Sequence, residues 1–256
     1  MFGFNFDKRI LYIIIGILAL RRIAAYSTQE GALLGLLLTI PGLLIAISFH
    51  EFAHAYAADK LGDDTPRRQG RLTLNPMAHL DPVGCFLLLF AGFGWGKPVM
   101  VNPNNYTRKT TLEKGDALVS IAGPLMNFFL AILFTIILCL TLMYTNTNIN
   151  IIGSAMYISS SSEMTQIIIE TIFYIISINI GLGVFNLLPL PPLDGSKVIR
   201  PLLPYNVKTW FAKNEIVFYI IFLVLWMTGI AGMIISPIIS TLNTGLLNLG
   251  FSIFGI

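Results

Sequence analysis

The apolar positions of this chain come in long runs rather than in alternation. Residues 32–58, 117–144, 167–188 and 216–235 are each apolar for the ~20 residues that a helix needs to cross a hydrocarbon core. Residues 10–25 predict a weaker further helix, since Arg21 and Arg22 would have to snorkel from its end. Residues 83–95 are apolar but short and glycine-rich, which predicts a re-entrant or interfacial segment. Residues 237–256 carry no charge and predict a short helix in or on the bilayer. Between these runs, "GRLTLNP" (70–76) and "KPVMVNP" (97–103) alternate briefly and close on Asn-Pro, which predicts two short strands. Such backbone at membrane depth has to pair internally or line a wet cavity. The pattern predicts an all-α multi-pass membrane protein of four to six transmembrane helices with a small membrane-associated β-hairpin or sheet near the functional site. No internal repeat is visible.

Composition agrees. Of 256 residues, 55% are hydrophobic and 11% charged, with a mean hydropathy of +0.76, whereas a soluble domain is about 25% charged. The length suits one integral unit and leaves little room for a second folded domain. A net charge of +3, with no basic patch interleaved with aromatics, argues against a nucleic-acid partner. The placement of the basic residues matters more than their sum. Lys60, Arg67, Arg68 and Arg71 share one loop, Lys97, Arg108, Lys109 and Lys114 a second, and Lys197, Arg200, Lys208 and Lys213 a third. The stretch 145–166 has no Lys or Arg. By the positive-inside rule the three basic loops face the cytoplasm and 146–162 the other side. The 32–58 helix then runs inward. Lys8 and Arg9 ahead of an apolar run resemble the start of a signal peptide, but Arg21-Arg22 follow without a small-residue cleavage site, so a retained helix is expected. Cys85 and Cys139 lie in apolar stretches without a CxxC partner and read as small buried hydrophobes.

Against this background "HEFAH" (50–54) is costly: ionisable groups inside an apolar run are expensive and mark function. Residues four apart share a helix face, so His50 and His54 can aim at one point with Glu51 beside them. In H-E-x-x-H the histidines bind zinc and the glutamate is a general base toward water. Catalytic zinc takes three protein ligands and keeps one open position, so another His, Asp or Glu has to come from elsewhere. His79, Asp81, Asp116, Glu170 and Asp194 are the candidates. Glu170 falls near the outer end of its helix, and Asp116 reads as a residue of a helix N-cap region. Asp194 fits best, because Pro189, Pro191 and Pro192 break the helix before it at the depth of His50 and His54. On its own, Asp194 could equally cap the segment that starts at Gly195.

HEFAH in an early membrane helix, then "NPMAHLDP", "GWGKPV", "AGPLMN" and a late "NLLPLPPLDG", resembles the site-2 protease family of intramembrane zinc metalloproteases over roughly residues 40–202. The resemblance implies His50, His54 and Asp194 as ligands of one Zn2+ per chain and Glu51 as the base. The GPxxN motif maps to Gly123, Pro124 and Asn127, and the asparagine before the proline-rich stretch to Asn186. Both asparagines are candidates to face the cleft and donate to an oxyanion; the alternative is that they tie adjacent helices together. His79 is a candidate for a residue near the approach to the site, or for a turn-stabilising histidine. The chain looks like the compact branch of the family without PDZ or CBS domains. It is expected to be one integral-membrane unit over 1–256, with a catalytic core at 32–202, in the cell membrane and with its site toward the cytoplasm. The implied substrate is a membrane-protein or peptide segment within or next to the lipid bilayer, held extended on an edge such as "RLTL" or "KPVMV", which Pro98 partly blunts. A metal transporter, a hydrolase of a small amide and an inactive membrane-binding relative are the competing readings. The transporter would need no general base and usually shows paired halves.

Overall fold

In the computed structural model of the chain, the described residues are 31–91, 96–107, 110–152, 155–159 and 162–256, together with Gly16, Leu20 and Ala24. The helix expected at 10–25 and the glycine-rich end of 83–95 therefore lie outside the described residues for the most part. Three long helices build the centre: α1 (Ala32–Leu61), α5 (Leu112–Thr145) and α6 (Glu163–Asn186). Between α1 and α5 come three short helices, α2 (Thr65–Arg68), α3 (Pro76–His79) and α4 (Pro82–Ala91), and a 3-10 turn at Pro103–Asn105. After α6 follow α7 (Asp194–Ile199), α8 (Tyr205–Lys213), α9 (Glu215–Met227) and α10 (Ile230–Phe254).

Local chemistry sets the ends of the central helices. The Thr111 hydroxyl accepts from the Lys114 amide at the start of α5, with Glu113 in the first turn. Ser162 does the same for α6 through the Thr165 amide, with Glu163 following. Each cap satisfies an otherwise orphaned donor, and each acid complements the helix dipole. Thr111, not Asp116, is thus the cap of α5. α1, α5 and α6 pack mutually, and α10 rests on α5 and α6. Leu138, Leu142, Ile169, Ile176 and Ile180 fill the seam, each at most 2% exposed. Away from the seam, Leu125, Phe129 and Leu140 on α5 are more than half exposed, as expected of faces that meet lipid. Asn243 of α10 donates to Ser177 Oγ of α6 at 2.7 Å, a polar tie of the kind that joins helices where water is scarce.

Among the described residues four helices are long and apolar enough to cross a membrane: Ala32–Leu61, Leu112–Thr145, Glu163–Asn186 and Ile230–Phe254. Three match the sequence expectation. The fourth does not, because the run 216–235 is cut in two. Gly229 adopts a left-handed conformation with φ of 78°, which ends α9 and caps the start of α10. At 13 residues, α9 spans only about 20 Å, short of the ~30 Å hydrocarbon core. The short helix expected at 237–256 is the body of α10, which carries Pro237 inside it. Hydropathy alone cannot see a glycine that reverses φ.

The expected strands also need correction. A two-stranded antiparallel sheet exists, but it joins β1 (Asn148–Ile152) to β2 (Ala155–Ser159), from Asn148 opposite Ser159 to Ile152 opposite Ala155. It lies past the far end of α5, about 33 Å along that helix from Gly123 at 1.5 Å per residue. Residues 70–75 form a turn and bends leading into α3, and 97–102 carry no regular secondary structure and no strand partner among the described residues; an isolated bridge joins Leu80 to Gly96. The Asn-Pro pairs explain the misreading. Asn75 and Asn102 accept from the amides of Met77 and Asn104, so each starts a helical turn with proline in its first position instead of closing a strand.

One side chain ties the loops to α1. Asp63, fully buried, accepts from the Thr65 amide (3.1 Å) and hydroxyl (2.5 Å) and from Asn105 Nδ2 (2.9 Å) with Oδ1, and from the Asn102 amide (2.6 Å) with Oδ2. Burial alone would push its carboxyl up, but these donors together outweigh burial and hold it below the ordinary carboxylate value. A depressed folded-state pKa means the contribution is complete above the unfolded value of about 4 and is lost as pH falls through the folded value. Hydrogen exchange at the Thr65 and Asn102 amides should therefore accelerate as pH drops below 4, after correction for intrinsic exchange. In Asp63→Ala it should be fast at every pH.

Candidate active site

α1 carries His50 and His54 one turn apart, both buried, with Glu51 beside them and half buried. Their rings meet edge to face at 86°, with centroids 4.6 Å apart. The two Nε2 atoms are 3.0 Å apart, and Asp194 Oδ2 lies 3.1 Å from the first and 3.2 Å from the second. Asp194 arrives there because the prolines stop α6 and the chain folds back through tight turns, Leu190 donating to Leu188 and Leu193 to Leu190. Two glycines make the approach possible. A Cβ on Gly123 would lie 2.5 Å from His54 Nε2 and 2.6 Å from His50 Cε1, so the imidazoles occupy the space where α5 lacks a side chain. A Cβ on Gly195 would collide with the backbone of Leu187 and Leu188, which cannot move aside as a side chain could.

The far sides of the rings decide their protonation. His54 Nδ1 sits 2.7 Å from the Val119 carbonyl, an acceptor only, so Nδ1 carries the hydrogen. His50 Nδ1 sits 2.7 Å from Asn127 Oδ1. The orientation of that amide is settled by its nitrogen, which donates to the Ala46 carbonyl (3.1 Å) and to Asn179 Oδ1 (2.9 Å). Asn179 in turn donates to Ile175 of its own helix. As neutral imidazoles, both histidines therefore turn Nε2 lone pairs toward each other and toward a carboxylate oxygen. Three such atoms repel one another unless a cation lies among them. Their separations of 3.0–3.2 Å match the edge of about 3.3 Å expected for a tetrahedron with bonds of 2.0–2.1 Å. His50, His54 and Asp194 are thus a fitting donor set for a tetrahedral metal with one position left open.

Glu51 does not join this triangle. Its Oε2 accepts from the Val99 amide at 2.9 Å. Asn127 is fully buried and both its amide hydrogens are taken, so it has no donor left to offer a substrate. Asn186 donates to Leu182 of its own helix at 3.0 Å. His79 is fully buried at the end of α3, with Nε2 2.7 Å from the Thr73 carbonyl of the turn before it, a contact that fits the turn-stabilising alternative. Sequence reasoning passed over Asn179, the Val119 carbonyl and the Val99 amide. A lone asparagine in an apolar span was a readable signal; backbone groups leave none.

Comparison with known proteins places this geometry. The profile of Peptidase family M50 matches residues 38–228. A Bacillus subtilis (strain 168) protein named "Putative zinc metalloprotease YwhC" is 41% identical over 213 residues, covering 83% of this chain and 90% of the relative. "Putative zinc metalloprotease Rip2" of Mycolicibacterium smegmatis is 30% identical over 189 residues, covering 72% of this chain and 65% of the relative; its Mycobacterium tuberculosis namesake (H37Rv) is 29% identical with the same coverage. No solved structure matches. The chain is an integral membrane protein and belongs to peptidase family M50.

Proposed function

We propose that the chain is a zinc-dependent intramembrane endopeptidase that cleaves membrane-spanning or membrane-proximal protein segments. The observation that carries this reading is the meeting of two bare imidazole nitrogens and a carboxylate oxygen within 3.2 Å, with Glu51 beside them on the same helix. His50, His54 and Asp194 hold one Zn2+ per chain. Zinc at such a site supplies polarisation of a carbonyl and acidification of water. Glu51 takes a proton from the attacking water and passes it to the leaving nitrogen. Asn127 acts on His50, fixing its tautomer and aim, and Asn179 fixes Asn127; ring-nitrogen partners of this kind orient metal-binding histidines. The basic loops put the site toward the cytoplasm, the side from which water reaches it.

A helical substrate hides its peptide bonds and has to be drawn out to be cut. The non-helical segment 97–101, with Met100 61% exposed, offers a backbone edge beside Glu51 for a substrate to pair with.

Glu51→Gln should bind zinc as wild type does and fail to cleave a membrane-spanning test substrate in proteoliposomes. Retained cleavage would remove Glu51 from the chemistry, and metal flux that survives the change would favour a transporter. Asn127→Ala and Asn179→Ala should each weaken zinc about 10- to 100-fold, read by competition with a chelator. Unaltered zinc affinity in both would limit these asparagines to helix packing.

A further inference from the structure

The chain from Gly96 to Asn102 crosses the face of α1 that carries Glu51 and is fastened at both ends. At its start, the Lys97 amide donates to the His79 carbonyl at 2.7 Å, and Gly96 forms the bridge with Leu80. The buried Arg71 guanidinium adds a clip: Nη1 donates to the Ala78 carbonyl and, at 3.4 Å, to the Lys97 carbonyl. At its end, the Asn102 amide donates to Asp63 Oδ2 at 2.6 Å. Between the anchors, Val101 packs against the cluster of Ala58, Tyr106 and Val119, and the Val99 amide reaches Glu51 Oε2. Lys97, Pro98 and Met100 are exposed.

A glutamate on a helix surface has three side-chain torsions to settle, and useful catalytic groups are held to within about 0.5 Å of their working position. Among the described residues, the Val99 amide is the hydrogen-bond partner recorded for the Glu51 carboxylate, and it engages one oxygen. We infer that residues 96–102 are a strap that aims the base: the Val99 amide fixes Oε2, which leaves Oε1 for the reacting water. Asp63 and Arg71 are positioning residues that set the strap. Asp63 is remote from the chemistry, since the end of α1 lies about 15 Å beyond Glu51, and Arg71 holds the strap through the Lys97 carbonyl without a recorded contact to Glu51. This inference rests on Glu51 being the base.

Asp63→Asn tests one anchor selectively. It keeps a carbonyl oxygen for Thr65 and Asn105 but puts an amide group where Oδ2 accepted from Asn102. Replacing Val99 by its α-hydroxy acid tests the centre, because it exchanges the single N–H for an ester oxygen and keeps the side chain. Both are made in the full chain in proteoliposomes and assayed on a membrane-spanning substrate beside Glu51→Gln. Each is expected to lower kcat about 10- to 100-fold, the scale of a misplacement near 1 Å, with zinc content unchanged and KM within about twofold. The double variant should be no worse than the more severe single, because both act through one contact. Zinc-loaded variants with wild-type kcat would overturn the strap, as would losses that multiply. A rise in KM at constant kcat would also overturn it, by leaving the segment the substrate pairing alone and no part in aiming the base. If Asp63→Asn does not fold, the ester variant alone decides. An active Glu51→Gln would instead bring down the base assignment itself, a result distinct from inactive Glu51→Gln beside fully active strap variants.

Discussion

Two imidazole nitrogens 3.0 Å apart, each with its proton committed to the opposite side of the ring, cannot rest together without positive charge between them. In an apolar helical bundle the effective dielectric is low, and an arrangement of this kind is either strongly favourable or strongly unfavourable. The surrounding structure answers that demand. Asp194 brings the countercharge, the proline-broken backbone after α6 and Gly195 let it come close, and Gly123 clears the space for the rings. Asn127, Asn179 and the Val119 carbonyl hold the protons away from the centre.

Helices and loops divide the labour. The three groups that could hold a metal come from α1 and from the start of α7, both packed on α5, so their geometry is inherited from helix packing. The proposed base sits on α1 as well, but its partner comes from a loop, and that loop is tied down largely by hydrogen bonds to Asp63, Arg71 and His79, with Val101 as its apolar contact. Hydrogen bonds between loops open more easily than a helix seam. The part of the site that handles protons is therefore the part with the greater capacity to shift.

The legibility of the site in the sequence follows the same division. The meeting of His50, His54 and Asp194 could be foreseen because side-chain identity, helical spacing and a proline break all leave marks in one dimension. Three of the four long helices could be found because lipid demands unbroken apolar length. The fourth was misplaced by 14 residues at its start and 19 at its end (216–235 against Ile230–Phe254) because the break depends on the backbone angle of Gly229. The strands expected at 70–76 and 97–103 failed because Asn-Pro serves helix starts as readily as turns. Asn127 was a candidate to face the cleft or to tie helices, and its contacts to α1 and α6 fit the second role, while the Val99 amide had no side chain to announce it.

The two histidines are locked in unequal ways. His50 depends on the side chain of Asn127, whereas His54 depends on the main-chain carbonyl of Val119. A single codon change can abolish the first lock; no side-chain replacement abolishes the second, which yields only if α5 itself moves. Genetic drift therefore has one easy point of attack on this centre, and a relative that has lost its chemistry while keeping every ligand would be expected to show the damage on the His50 side first.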